Sequence, residues 1–346
     1  MKHQTTRYGE IPFYKIGTFG NTADAFISKK LFLEYKTKYS FPKKGDILIS
    51  ASGTIGRAVI YDGKPAYFQD SNIVWIDNDE TLVKNDFLFY AYSNVKWNTE
   101  HTTILRLYND NFRNTLIPLP SLNEQIAIAN ILSDLDRYLC ALDALILKKE
   151  GVKKSLSFEL LSQRKRLKGF NQAWQRVRLG DIANYLTSNL SVEQITQQGE
   201  IKVYDVNNFI GYTDTTFISD KPYISIVKDG SVGRVRILPP KTNILSTMGA
   251  LIANHRTTTE FLFYLLSNFD FKNFTSGSII PHIYFKDYKE KTIFLPPLNE
   301  QIAIANILSG LDNEIASLKN KKRQFENIKK ALNHDLMSAK IRVLKK

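Results

Sequence analysis

Residues 122–133 read LNEQIAIANILS, and residues 298–309 read the same twelve letters, 176 positions later. Identity at all twelve positions is beyond chance, so the chain must fold as one unit built twice. The match continues more loosely upstream. Residues 102–108 (TTILRLY) face residues 278–284 (SIIPHIY), and Leu88-Phe89-Tyr90 with Ser93-Asn94 face Leu262-Phe263-Tyr264 with Ser267-Asn268. Gly53-Thr54-Ile55-Gly56-Arg57 likewise face Gly230-Ser231-Val232-Gly233-Arg234. Offsets between 174 and 177 describe a single duplication with short insertions. A solenoid, with a period of about 20–50 residues, is excluded.

Each copy splits in two. Its first part carries short β-branched and aromatic runs, such as Asp46-Ile47-Leu48-Ile49-Ser50 and Ser71-Asn72-Ile73-Val74-Trp75-Ile76, between turn residues. Such runs predict strands. After Pro120 or Pro296 proline gives way to helical periodicity, a helix-start signal. The apolar seam of the first helix runs Ile128, Leu132, Leu135, Leu139, Leu142, then Lys149, Val152, Leu156 and Leu160; Gly151 is its weak point. The second runs Ile304, Leu308, Leu311, Ile315, Leu318, then Phe325, Ile328, Leu332 and Leu336. Spacings of 3 and 4 are the coiled-coil pattern, and residues 122–166 alone make a rod of about 68 Å. Both helices begin acidic and end basic, so they attract best when antiparallel. Exposed pairs contribute only about 0–1 kcal/mol each, so charge selects direction while the seam supplies stability. The expected fold is α+β: two β-rich domains (residues 1–121 and 169–297) separated by two long antiparallel coiled-coil helices (residues 122–168 and 298–346), a pseudo-two-fold repeat. Cys140, beside the seam, is expected to be half-buried.

Lys plus Arg outnumber Asp plus Glu by 47 to 34 in 346 residues, a net charge of +13. That excess points to a polyanion, nucleic acid first and an anionic membrane second. No apolar run approaches the 18–20 residues of a membrane span, and the Met-Lys-His-Gln-Thr-Thr start lacks a secretory signal. A single cysteine excludes a disulfide framework. A cytoplasmic location is expected. Catalytic patterns fail throughout. There is no phosphate-binding P-loop. Gly53-x-x-Gly56 and Gly230-x-x-Gly233 lack the third glycine of a dinucleotide fold and read as turns between strands. An amino-methyltransferase motif is absent, and the Glu34-Tyr35-Lys36 spacing of a metal nuclease has no Pro-Asp partner. His3, His101, His255, His282 and His334 never pair at metal-binding spacing. No metal and no enzyme activity are expected.

The Leu-Asn-Glu-Gln helix start after a proline, repeated after two β-rich domains, resembles the specificity subunit of type I restriction-modification systems. Gly45-Asp46-Ile47-Leu48-Ile49-Ser50 with Gly53-Thr54-Ile55-Gly56 matches that family's domains. So does the opening Trp174-x-x-Val177-x-Leu179-Gly180-Asp181-Ile182. The resemblance covers nearly the whole chain. It implies a non-catalytic DNA-binding subunit whose two target recognition domains each read one half of a bipartite double-stranded DNA site. It also implies docking of two methyltransferase subunits, which carry the S-adenosylmethionine, and of restriction (motor-nuclease) subunits through the complex. No cofactor is expected on this chain. One departure stands out. The second domain passes through residues 174–198 before Gly199-Glu200-Ile201, whereas the first reaches Gly9-Glu10-Ile11 almost at once. The first domain is therefore expected to lack about 25 opening residues. A natural start upstream of the given sequence is one explanation; a truncated or recombination-cassette protein reading one half-site is another.

DNA-contacting candidates sit on turns: Lys43, Lys44, Arg57, Arg106, Tyr108 and Asn109 in the first domain, and Lys228, Ser231, Arg234, His282, Tyr284 and Lys286 in the second. Phosphate contacts set register and base-edge contacts give specificity. Arg57 and Arg234, shared by both copies, hold a turn as readily as they read a base; Arg106 against His282 is the better specificity position. Subunit docking is assigned to the polar helix starts Glu124, Gln125, Asn130, Glu300, Gln301 and Asn306, although Glu124 and Glu300 also suit the helix N-terminal dipole. A coiled-coil scaffold without DNA and an RNA-binding protein are the rival readings.

Overall fold

The computed structural model describes residues 4–68, 72–97 and 106–344. The chain forms two units: residues 1–143 with 320–346, and residues 144–319.

The second unit is built on an antiparallel sheet with the order Val235–Leu238, Tyr223–Val227, Met248–Ala253, Ala183–Thr187. Its central strand, Tyr-Ile-Ser-Ile-Val, is buried at every position, so it needs no apolar-polar alternation. A second sheet joins Phe209–Thr213, Ile201–Tyr204 and Thr242–Ile244. Strand Thr292–Leu295 pairs with Gln175–Arg178 just before the second long helix. Helix Thr259–Ser267 is capped by Thr258, whose hydroxyl accepts from the Phe261 N–H, and buries Phe261, Leu262, Tyr264 and Leu266 in the main core.

The first unit repeats this with fewer strands. Ala58–Ile60, Ile47–Ser50 and Ile73–Trp75 form an antiparallel sheet, and Ala25–Ile27, Ile11–Tyr14 and Tyr67–Phe68 a second. Among the described residues the sheet has three strands where its counterpart has four. Nothing there corresponds to Ala183–Thr187 or to the Gln175–Arg178 pairing. Residues 102–105, His3 and His101 lie outside the described residues.

The long helices are Leu122–Leu161 and Leu298–Met337, of 40 residues each. Both stop short of the expected ends at 168 and 346. Gln163 and Ala339, 176 positions apart, take the left-handed backbone (φ 62° and 57°) that closes a helix. Neither position carries the usual glycine, which is why periodicity overshot.

Within each unit the helix segments run antiparallel. In the first, Asp136 pairs with Lys329, Asp143 with Lys322, and the Tyr138 ring packs tilted against Phe325. In the second, Lys149 pairs with Glu314, Lys153 with Asp312 and Glu150 with Lys319. The expected charge order is realised as ion pairs. The seam departs from expectation in its basic halves: Val152 and Ile328 are half-exposed, while Lys153, Lys322 and Lys329 turn partly inward to reach their acids. A lysine stem buries like an aliphatic chain and delivers its charge at the rim. Gly151 faces open space: a Cβ placed there would meet nothing within 4 Å. Cys140 is exposed rather than half-buried; it lies one position past the inward stripe.

Candidate nucleic-acid interface

In each unit a glycine-framed turn lies beside a second loop. In the first, Ser52 bridges Arg106, and the Leu107 N–H donates to the Ala51 carbonyl at 2.9 Å. In the second, Asp229 bridges His282, the Ile283 N–H donates to Lys228 at 2.9 Å, and the Gly230 N–H donates to Pro281 at 2.9 Å. The turns need glycine. Gly56 (φ +85°) and Gly233 (φ +80°) hold left-handed backbone, and a Cβ would sit 2.4 Å from the Trp97 ring or 2.6 Å from the Phe271 ring.

The side chains at this juxtaposition differ between units. Arg106 is exposed, and no carboxylate among the described residues pairs with it. His282 is half-buried, its Nδ1 2.6 Å from Asp229 Oδ1. A carboxylate only accepts, so Nδ1 carries the hydrogen. In a neutral ring that leaves Nε2 as an acceptor. Tyr284 is half-exposed, with the Lys286 ammonium 5.5 Å from its ring centre. Lys228 and Ser231 belong to the same loop pair. Tyr108 and Asn109 begin the helix Asn109–Arg113 beside Arg106.

The shared arginines are engaged internally. Arg57 Nη1 donates to the Phe19 carbonyl at 2.9 Å, and Arg234 Nη2 to Asn207 Oδ1 at 2.8 Å. Lys43 pairs with Asp77 at 2.8 Å, and that hydrogen bond raises its pKa. Lys44 lies along Gly63. The Arg57 backbone closes the turn itself, its N–H donating to Ser50 Oγ at 2.9 Å, whereas its guanidinium, like Lys43 and Lys44, makes no hydrogen bond to Arg106 or Leu107 among the described residues. Glu34-Tyr35-Lys36 lies within helix Lys29–Lys38, where the Lys36 ammonium sits over the Phe32 and Phe41 rings. Among the described residues no group of acids, histidines or cysteines is arranged to hold a metal, and no helix is long and apolar enough to cross a membrane.

The family model for the type I restriction modification DNA specificity domain matches twice, over residues 1–149 and 171–327. The chain belongs to this family. Its members are recognition subunits rather than enzymes. A putative type I restriction enzyme specificity subunit of Haemophilus influenzae is 64% identical over 133 residues, which span 38% of this chain and 34% of that protein. The MjaX specificity subunit of Methanocaldococcus jannaschii, also described as putative, is 28% identical over 337 residues, 86% of this chain and 79% of that one. The crystal structure of a type I restriction-modification S subunit from M. genitalium superposes with a TM-score of 0.64 at 20% identity, covering 97% of this chain and 91% of that one.

In this specificity subunit the repeated helix starts are mostly inward-facing. Gln125 is fully buried: its Nε2 donates to the Leu82 and Pro120 carbonyls (3.0 and 2.9 Å) and its Oε1 accepts from the Lys84 N–H at 2.8 Å. Gln301 does the same with Arg256, Pro296, Thr257 and Thr258. Glu300, also fully buried, accepts from Arg166 and from the Trp174 indole at 2.9 Å. Glu124 is buried and accepts from the Val343 N–H at 3.3 Å. Of the six docking candidates, Asn130 and Asn306 are the exposed ones. Beside them Ile126 and Ile302 are 44% and 49% exposed, with Leu122 and Leu298 also uncovered. This identical apolar stripe, four residues apart on one helix face, escapes a search for docking residues that looks to polar side chains. Asp229 escapes it too; it follows Lys228 in a charged pair that reads as surface.

Proposed function

We propose that each unit reads one half of a bipartite DNA duplex site through its paired loops, and that methyltransferase subunits dock on the two repeated helix starts. The observation that supports the first part is that the same loop pairing recurs with different chemistry, Ser52 with Arg106 against Asp229 with His282. Arginine presents only donors and matches the guanine O6/N7 edge, whereas an acceptor Nε2 held by Asp229 matches the amino group of adenine or cytosine. Two different readers make an asymmetric site. Lys228, Lys286 and Tyr284 supply phosphate contacts around the second.

Docking follows from the exposed Leu122, Ile126, Asn130 stripe and its copy Leu298, Ile302, Asn306. Two equal surfaces imply two methyltransferases per chain. Those subunits supply S-adenosylmethionine and the methyl transfer, and motor-nuclease subunits join through the assembled complex.

The test is site selection from a random duplex library by the chain with its methyltransferase, for wild type and Arg106→Ala. Loss of preference at one position of one half-site, with the other half intact, supports the reading; a uniform loss across both halves refutes base reading by Arg106. Native mass measurement of Ile126→Glu and Ile302→Glu should each show one methyltransferase fewer. Two subunits retained in the double variant would refute the docking surface.

A further inference from the structure

Residues 275–283 of the second unit form a β-hairpin whose tip stands clear of the core. Thr275–Ser276 pairs antiparallel with His282–Ile283, and Gly277-Ser278-Ile279-Ile280-Pro281 makes the turn between them. The turn is tight. Gly277 holds left-handed backbone (φ +89°), and a Cβ there would sit 2.2 Å from the Ile280 carbonyl oxygen and 3.0 Å from His282 Cδ2. The tip therefore lies against the edge of the His282 ring.

The base of the hairpin is anchored. The Gly230 and Ile283 N–H groups donate to the Pro281 and Lys228 carbonyls, both at 2.9 Å. The Thr275 hydroxyl donates to the Phe271 carbonyl at 2.9 Å, and Ile283 is buried in the main core. The tip, by contrast, is apolar and uncovered: Ile279 is 92% exposed and Ile280 55%. Its neighbours Ser276, Ser278 and Lys286 are exposed as well, so the two isoleucines stand as an apolar point in polar, cationic surroundings.

That combination fits one edge of DNA. The major groove admits a two-stranded β-ribbon, and an A·T pair shows there an amino group on adenine beside an apolar group, the C5-methyl of thymine. A wedge driven between base steps would enter from the minor groove, where the adenine amino group is not presented. We propose that Ile279 and Ile280 are specificity residues that pack on thymine methyl groups in the second half-site, on or next to the base pair read by His282. The inference rests on DNA reading by the loop pair and deepens it: the ring supplies polar recognition, and the tip supplies apolar recognition on the same groove edge.

The experiment uses the chain with its methyltransferase and a duplex obtained by site selection. Each thymine is replaced in turn by deoxyuridine, which removes the methyl and leaves pairing with adenine intact, and Kd is followed by fluorescence anisotropy. The expected result is a loss of about fourfold for each contacted methyl, confined to one half-site. Ile279→Ala with Ile280→Ala should bind the thymine and uracil duplexes equally, while Ile279→Val with Ile280→Val keeps a preference for thymine. Both side chains are exposed, so these variants leave the core untouched. A selected site with no thymine, or with thymines that all tolerate uracil, overturns this inference alone, as does a uracil penalty undiminished in the double alanine variant. A chain that selects no duplex site overturns the DNA reading and this inference with it.

Discussion

Gln301 is a buried polar group whose loss should be costly. Its amide satisfies four partners at once: the Arg256 and Pro296 carbonyls at 3.0 and 2.8 Å, the Thr257 hydroxyl at 2.9 Å and the Thr258 N–H at 3.1 Å. It is fully buried, and Thr257 is nearly so. Gln301→Met keeps the volume and removes every partner. Each buried orphan costs about 1–3 kcal/mol; the Thr257 hydroxyl can turn away, so the expected loss is about 3–5 kcal/mol. That is a large part of the 5–15 kcal/mol that holds a typical domain together. Urea unfolding with a constant slope gives the number directly. Gln301→Glu is the sharper variant. It aims a carboxylate oxygen at two carbonyl oxygens, so the folded state disfavours the charged form and raises that pKa above the ordinary 4.3 or so. Stability is then present below the unfolded pKa and lost as pH rises through the folded one. The glutamate variant should approach wild type near pH 4 and fall away by pH 7. A methionine variant within 1 kcal/mol of wild type, or a glutamate variant indifferent to pH, would refute the reasoning.

Gly151→Ala and Gly310→Ala, both in open helix interiors, should each stabilise by about 0.5–1 kcal/mol, read as a rise in melting temperature. Gly233→Ala should do the reverse by about 2 kcal/mol or more, because left-handed backbone and the Phe271 ring both oppose a Cβ; an unchanged melting temperature would contradict the turn geometry. Burial pushes the Tyr223 hydroxyl up to about 12. A raised acid pKa gives stability that is full below the unfolded value near 10 and lost as pH rises through the folded one. Unfolding between pH 10 and 12 should therefore weaken in Tyr223→Phe, followed by circular dichroism. Asp136→Asn should cost about 1–3 kcal/mol, since Asp136 accepts from the Tyr90 hydroxyl at 2.8 Å and pairs with Lys329; equilibrium unfolding decides it.

The duplication, the two helices and their opposed charge order were legible because each rests on a pattern that survives without tertiary context: identity, a 3-4 spacing and the sign of side chains. Lys153 and Lys322 were not, because their stems bury only once Asp312 and Asp143 stand opposite. The glycine turns were visible as turns, while the reason for glycine, an aromatic ring from Trp97 or Phe271, comes from residues about 40 positions away. Arg106 and His282 stand out when the two copies are compared. Asp229 does not, because its meaning depends on a bridge across 53 residues. The buried roles of Gln125 and Gln301 were illegible for the same reason: a glutamine next to apolar residues looks like a helix surface until loop carbonyls close over it.

The paired charges of the long helices have one more effect. The acidic beginning of each helix meets the basic end of the other, and the two helices share the same charge order. A helix of this kind is therefore also complementary to a second example of itself. Electrostatics fixes the direction of pairing without naming the partner. What names it is tethering: both helices belong to one polypeptide, so each meets the other at an effective concentration set by the connecting chain rather than by that of separate molecules. Fidelity of pairing is thus a property of connectivity, and cutting the backbone between the helices would open the way to strand exchange between molecules.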